Sequence, residues 1–172
     1  MIRSAIAQGK KVKVIATETR PRLQGAKLTV YELKRDGIDV TLITDNMVGY
    51  VMSQGMVDKV IVGADRVLRD GHVTNKIGTL TIAIVAKRYS VPFYVAAPSS
   101  TFDLQATVDQ VVIEHRSPKE VLEVNGRPIT IDVKVLNPAF DITPPDLVTA
   151  IITERGIIRP PYQENIPKII AK

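Results

Sequence analysis

Short β-branched runs alternate with segments of helical spacing through the first part of the chain. They predict an α/β protein, a Rossmann-like three-layer sandwich with a mainly parallel sheet. Two observations carry that prediction. The runs Lys11–Thr17, Val40–Thr44, Asp58–Ala64 and Pro92–Ala96 have strand length and composition, and the strand–helix–strand rhythm between them is what right-handed parallel crossovers require. Polar residues gather where those runs end, at Glu18–Gln24, Thr44–Asn46, Gly63–Arg66 and Ala97–Thr101. That edge is where open α/β sheets place their chemistry.

Taken in order, Ile2–Gln8 reads as the end of an amphipathic helix, with Ile2, Ala5 and Ile6 on one face. Strand Lys11–Thr17 leads through Glu18, Thr19, Arg20 and Pro21 to a helix over Ala26–Arg35, closed by Gly37. After strand Val40–Thr44, Asp45 is expected to cap a helix reaching Gln54, stopped by Gly55. Asp58–Ala64 is the third strand, Lys76–Tyr89 the next helix, Pro92–Ala96 the fourth strand and Val111–Glu114 a fifth. Asn125-Gly126 suggests a hairpin turn inside the irregular stretch Ser117–Asp132. Asn137–Pro145 reads as a proline-rich loop, Asp146–Glu154 as a helix, and Ile166–Ile170 as a last apolar patch after a Pro-rich tail.

The chain of 172 residues suits one domain, and with 45% hydrophobic and 24% charged residues it has the composition of a folded globular protein. Its longest apolar runs are far short of a membrane span, and the N-terminus lacks a secretory pattern, so a cytoplasmic location is expected. With no cysteine and two distant histidines, His72 and His115, no metal site is expected. The net charge of +5 would suit a nucleic-acid partner, but the basic residues are interleaved with acids, as in Glu32, Lys34, Arg35 and Asp36. Nucleic acid is therefore not the expected partner. There is no GxGxxG turn and no GxxxxGK[ST] loop, so the fold by itself implies neither a dinucleotide nor ATP.

The stretch Lys59–Leu80 concentrates the chemistry. Asp65 and Arg66 follow an apolar strand where it meets solvent, and Asn75 and Lys76 stand just before Gly78 and a helical run. An amide, a cation and helix N-terminal N–H groups could there converge on one anion beside an acid. Each residue also has a structural reading: Asp65 as a cap, Asn75 and Lys76 as a surface helix start, Arg20 as an ion pair rather than an anion clamp, and Gln24 as packing rather than a sugar-hydroxyl ligand. Asp141 reads as a residue that fixes a loop, and His72 as solvent-exposed.

Six segments in order, ETRPRLQGAKLT (Glu18–Thr29), TDNMVGYVM (Thr44–Met52), VGADRV (Val62–Val67), NKIGT (Asn75–Thr79), PFYVAAPSSTFD (Pro92–Asp103) and NPAFDITPP (Asn137–Pro145), resemble the C-terminal domain of methylthioribose-1-phosphate isomerase. That family shares its fold with ribose-1,5-bisphosphate isomerase and with the alpha, beta and delta regulatory subunits of initiation factor 2B. The resemblance implies a single Rossmann-like domain over 1–172 without the family's N-terminal helical domain. It implies conversion of 5-methylthioribose 1-phosphate to 5-methylthioribulose 1-phosphate in methionine salvage, with no cofactor or metal. Asp65 would be the acid/base, Gln24, Asn75, Lys76 and Arg20 would bind the sugar phosphate, and the protein would be a homodimer. A phosphate on the anomeric carbon prevents free ring opening, so an acid must protonate the ring oxygen, and a closed apolar pocket would keep such an acid protonated.

The family enzyme also carries phosphate-binding arginines in its helical domain and a cysteine loop, and this chain has no cysteine. A fragment, one piece of a split enzyme and a paralogue without catalysis are the accounts left open, and the polypeptide alone is expected to lack isomerase activity. The rivals are a non-catalytic regulatory subunit similar to initiation factor 2B alpha, and ribose-1,5-bisphosphate isomerase.

Overall fold

The computed structural model describes residues 1–170, in which the chain divides into two units, Met1–Tyr50 and the part from Val51 onward. The architecture is mixed α/β, with parallel segments in both units.

The first unit begins with α1 (Ile2–Ala7), none of whose residues is buried. β1 (Val14–Thr17) and β2 (Val40–Ile43) pair in parallel, Val14 facing Val40. Between them the expected helix forms in two pieces: a π-helical turn over Gly25–Val30 runs directly into α2 (Tyr31–Arg35). Gly37 closes the helix in the left-handed conformation, φ +72°. Ala16, Leu33 and Ile38 are buried, as the helical and strand periodicities require. A single 3-10 turn, Asp45–Met47, precedes α3 (Val48–Ser53).

In the second unit β3 (Val60–Val62) is followed by β4 (Arg66–Leu68) and β5 (Val73–Lys76), then α4 (Thr79–Arg88), β6 (Phe93–Ala96) and β7 (Phe102–Asp103). After these come α5 (Lys119–Leu122), the small hairpin β8 (Glu123–Val124) and β9 (Arg127–Pro128), β10 (Phe140–Thr143), β11 (Ala150–Thr153), β12 (Gly156–Ile158) and α6 (Tyr162–Ile170). Two four-stranded sheets result. In the order β12-β11-β6-β3, the strands β3, β6 and β11 run parallel and β12 turns back on β11. In the order β10-β5-β4-β7, β5 is antiparallel to both neighbours and β7 is parallel to β4. The core is apolar and tightly closed: Val67, Val73, Ala83, Phe93, Val95, Ile151, Ile158 and Ile166 are buried.

Four expectations need correction. Asn75 and Lys76 end a strand, and the helix after them starts later, at Thr79. Val111–Glu114 forms no strand; nearby, only His115 makes an isolated bridge, to Pro138. Asn137–Pro145 is not a loop throughout, because Phe140–Thr143 pairs with β5 as β10. Asp146–Glu154 is not a helix: Pro145–Leu147 makes one 3-10 turn and Ala150–Thr153 is a central strand. The reason is local as well as tertiary, since Val148, Thr149, Ile151, Ile152 and Thr153 are β-branched and Ile151 fits beside Val95 with no exposure. Ile166–Ile170 is the last part of α6, where Ile166 is buried and Ile169 and Ile170 are half-buried. The Asn125-Gly126 turn forms as expected, with both residues at positive φ (52° and 74°) between β8 and β9. Among the described residues no helix is long and apolar enough to cross a membrane.

Candidate functional site

In the second unit, β3 ends at Val62, and Gly63 and Ala64 lead to Asp65. The Asp65 N–H donates to the carbonyl of Thr74 (2.9 Å), the residue that Arg66 faces across the β4–β5 pairing. Two residues thus oppose one, the arrangement of a β-bulge, which bends the strand and re-aims the side chain at its rim. Asp65 is exposed there, and the closed apolar surroundings expected for it are not supplied by the described residues. Asn75 and Lys76 follow Thr74 on the neighbouring strand and are half-buried. The sheet therefore brings Asp65, Asn75 and Lys76 together.

Lys76 faces Phe140 across β5–β10, its Nζ 4.6 Å from the ring centroid. The guanidinium of Arg116 lies 5.6 Å from the same centroid and is hydrogen-bonded to Glu114 at 3.2 and 3.4 Å. One aromatic ring thus gathers two cations beside the acid-bearing hairpin. Arg66 itself turns to Asp103 (3.8 Å).

The N-terminus of α4 corrects the picture drawn from spacing. Its N–H groups were expected to cradle an external anion, yet they already hold one of the protein's own: Gly78 N–H donates to Asp141 Oδ2 (2.7 Å) and Leu80 N–H to Asp141 Oδ1 (3.1 Å). Asp141 fixes this turn, as its sequence reading anticipated, from its place opposite Asn75 on β10. Burial pushes its carboxyl up and the two N–H bonds pull it down, with a net rise above the ordinary value. Inside the first helical turn, the Thr79 hydroxyl lies 2.7 Å from the Lys76 carbonyl, and Asn75 Nδ2 donates to Thr79 Oγ1 at 3.0 Å.

The first unit carries the other sequence candidates. The loop after β1 is tightly built: Thr19 and Leu23 both have positive φ (63° and 62°), and Leu23 N–H donates to the Thr19 carbonyl (2.7 Å). Non-glycine residues held in that region cost energy and persist only where their surroundings over-determine them. Here the determinant is Asp45, whose carboxylate accepts the N–H groups of Thr19 (2.8 Å) and Arg20 (2.6 Å). Asp45 was expected to cap its own helix; it buckles this loop instead, and Thr44 occupies the cap position. Gly25 is obligatory, because a Cβ there would lie 1.8 Å from the Thr17 carbonyl oxygen. Arg20 donates to the Pro21 carbonyl at 3.3 Å. Gln24, at the loop's end, holds Oε1 buried with no hydrogen-bond partner among the described residues, an acceptor in want of a donor. The structure therefore groups Arg20 and Gln24 in one loop.

Asp45, Thr79 and Arg116 were not singled out as site residues from sequence. A polar residue directly after an apolar strand marked Asp65, and the same signal stood at Thr44-Asp45. His72 departs from expectation by being half-buried, its Nδ1 2.9 Å from Asp70 Oδ2. Partial burial works against the Asp70 charge, but the backbone N–H and ring of His72 outweigh it and hold the carboxyl below its ordinary value.

The model of the initiation factor 2 subunit family, IF-2B, matches residues 1–160. The chain belongs to this family. Among its relatives, the methylthioribose-1-phosphate isomerase of Carboxydothermus hydrogenoformans is 60% identical over 171 residues, covering 98% of this chain and 50% of that protein. Two solved structures superpose closely. The translation initiation factor eIF-2B subunit delta from A. fulgidus has a TM-score of 0.97 at 59% identity, covering 99% of this chain and 50% of the other. The 5-methylthioribose 1-phosphate isomerase from Pyrococcus horikoshii OT3 has a TM-score of 0.95 at 44% identity, covering 99% and 48%. The resemblance read from the six sequence segments is thereby borne out, and the chain spans about half the length of the curated relatives it matches.

Proposed function

We propose that this chain is the substrate-binding C-terminal portion of a sugar-phosphate isomerase that converts 5-methylthioribose 1-phosphate to 5-methylthioribulose 1-phosphate. The observation that carries the reading is the hairpin β4–β5, which sets an exposed carboxylate, Asp65, at a bulge beside the Asn75-Lys76 pair. Relatives and a solved structure named for this isomerase support it.

In this reading the remainder of the enzyme covers Asp65 and keeps its carboxyl protonated; it gives that proton to the ring oxygen as the C1–O bond breaks, and the carboxylate so formed then carries the proton from C2 to C1 that turns aldose into ketose. No external oxidant is needed, because one carbon is oxidised as its neighbour is reduced. In the second unit Lys76 balances the phosphate charge and Asn75 hydrogen-bonds the sugar; in the first, Arg20 offers a further cation and the buried Oε1 of Gln24 an acceptor for a hydroxyl. The chain acts as one domain of a cytoplasmic homodimer. A Rossmann-like architecture is the finer form of this proposal, supported by the β1–α2–β2 crossover in the first unit and by the parallel order of β3, β6 and β11 in the second.

The A. fulgidus structure, which is named as an initiation factor subunit, favours a second reading, a binding subunit without catalysis. One assay separates the two: the chain alone, and the chain supplied with the N-terminal half of a full-length relative, are incubated with 5-methylthioribose 1-phosphate and ketose formation is followed by NMR, turnover being expected only from the combination. Turnover that falls by about 100-fold or more in Asp65→Asn is expected. Saturable sugar-phosphate binding without turnover supports the subunit reading, and undiminished turnover in Asp65→Asn refutes the role given to Asp65.

A further inference from the structure

We infer that Asn75 recognises a ring hydroxyl of the sugar through its carbonyl oxygen, and that Thr79 is the positioning residue that imposes this orientation. The inference rests on the reading of the site as a sugar-phosphate site. Thr79 is buried, 4% exposed, and its Oγ1 sits between two groups: the Lys76 carbonyl at 2.7 Å and the Asn75 amide at 3.0 Å.

The backbone carbonyl of Lys76 can only accept, so the single hydroxyl proton of Thr79 is committed to it. The lone pair left on Oγ1 must then meet a donor, and of the two ends of the Asn75 amide only Nδ2 supplies one. Turning the amide over would set Oδ1 against Oγ1 with no proton between them. The two ends of an amide look alike in shape, and here the hydrogen-bond network distinguishes them. Asn75 therefore presents Oδ1 to the site.

A carbonyl oxygen attracts a hydroxyl proton and repels the oxygens of a phosphate. Asn75 thus reads the sugar, while the positive charge of Lys76 beside it serves the phosphate. The arrangement is held from behind. Asp141 faces Asn75 across β5–β10 and binds the N–H groups of Gly78 and Leu80, which flank Thr79 in the chain. The first turn of α4, and with it the Thr79 hydroxyl, is clamped to the strand that pairs with Asn75.

The ligand class that follows is a sugar phosphate bearing a free hydroxyl at the recognised position, with its deoxy analogue rejected. A site that hydrogen-bonds a substrate hydroxyl discriminates against its absence, because its partner, here the half-buried Asn75, is left unpaired. The test is calorimetric titration of the protein as encoded with ribose 1-phosphate, 2-deoxyribose 1-phosphate, 3-deoxyribose 1-phosphate and inorganic phosphate, for the wild type, Thr79→Val and Thr79→Ser. The wild type is expected to prefer ribose 1-phosphate to one deoxy analogue by about 10-fold. Thr79→Val should lose most of that preference while keeping its affinity for inorganic phosphate, and Thr79→Ser should restore it. Should Thr79→Val not fold, Asn75→Ala removes the same acceptor without touching α4 and must lose the same preference.

A preference that survives in Thr79→Val, or none in a wild type that binds ribose 1-phosphate, overturns the inference and leaves the sugar-phosphate reading standing. A wild type that binds no ribose 1-phosphate overturns both.

Discussion

Gly71 closes the turn between β4 and β5, the strands that carry the acid and the amide, and its replacement by alanine tests how that hairpin is fastened. Its φ of +94° is one that side-chain-bearing residues rarely adopt, and a Cβ there would lie 2.7 Å from three atoms of Tyr162 on α6. Gly71→Ala therefore incurs two costs: about 1–2 kcal/mol for the left-handed backbone, and about 1–3 kcal/mol for forcing the Tyr162 ring aside in a packed region. The ring has little room to yield, being buried and held by its hydroxyl, which donates to the Val148 carbonyl at 2.9 Å. The sum, about 2–5 kcal/mol, is a large share of a typical domain stability of about 5–15 kcal/mol. Gly126 supplies the control. It has a similar φ of +74° with no atom within 4 Å of a built Cβ, so Gly126→Ala incurs the backbone cost alone. Urea unfolding of both variants isolates the Tyr162 overlap as the difference between them. Equal losses, within about 0.5 kcal/mol, would refute the view that α6 clamps the hairpin through Tyr162.

Two further outcomes follow from the same geometry. Asp45→Ala removes the acceptor of two backbone N–H groups in a loop that holds Thr19 at positive φ; a destabilisation of about 2–4 kcal/mol is expected in chemical denaturation, and Asp45→Asn should recover part of it. Asp141 has a folded-state pKa raised above its unfolded value by burial, against its two N–H bonds, so the folded chain holds that proton the more tightly. Its contribution is thus complete below the ordinary carboxylate pKa and is lost as pH rises through the raised value. As pH rises above the ordinary carboxylate value of about 4, the wild type should lose stability relative to Asp141→Asn, and a difference of the opposite slope would contradict the assignment.

Much of the architecture was legible because it is written in local periodicity. The runs expected to end at Thr17, Thr44, Ala64 and Ala96 contain the strands Val14–Thr17, Val40–Ile43, Val60–Val62 and Phe93–Ala96, and Gly37, Gly55 and Gly126 take the positive φ that their turn positions called for. The misreadings share one cause, that short apolar segments take the state their neighbours allow. Asp146–Glu154 has enough apolar spacing to pass for a helix, but the slot beside β6 makes Ala150–Thr153 a strand. Phe140–Thr143 lies among prolines and reads as loop until β5 offers its free edge.

The candidate site divides along the same line. Sequence alone marked Asp65, Asn75, Lys76, Gln24 and Arg20, because polar residues at the ends of apolar strands stand out and because their segments carry the family resemblance. Membership in the IF-2B family was equally readable from linear motifs. Tertiary structure alone decided what those residues face. It filled the α4 N-terminus with Asp141 from 61 to 63 positions away, and it set the Asp45 carboxylate under a loop 25 to 26 positions earlier in the chain. It also let Thr79 choose which end of the Asn75 amide meets a ligand. Residue types and their spacing declare which hydrogen-bonding groups a chain possesses, but the pairing of donors with acceptors depends on distances that exist only once strands distant in sequence lie side by side.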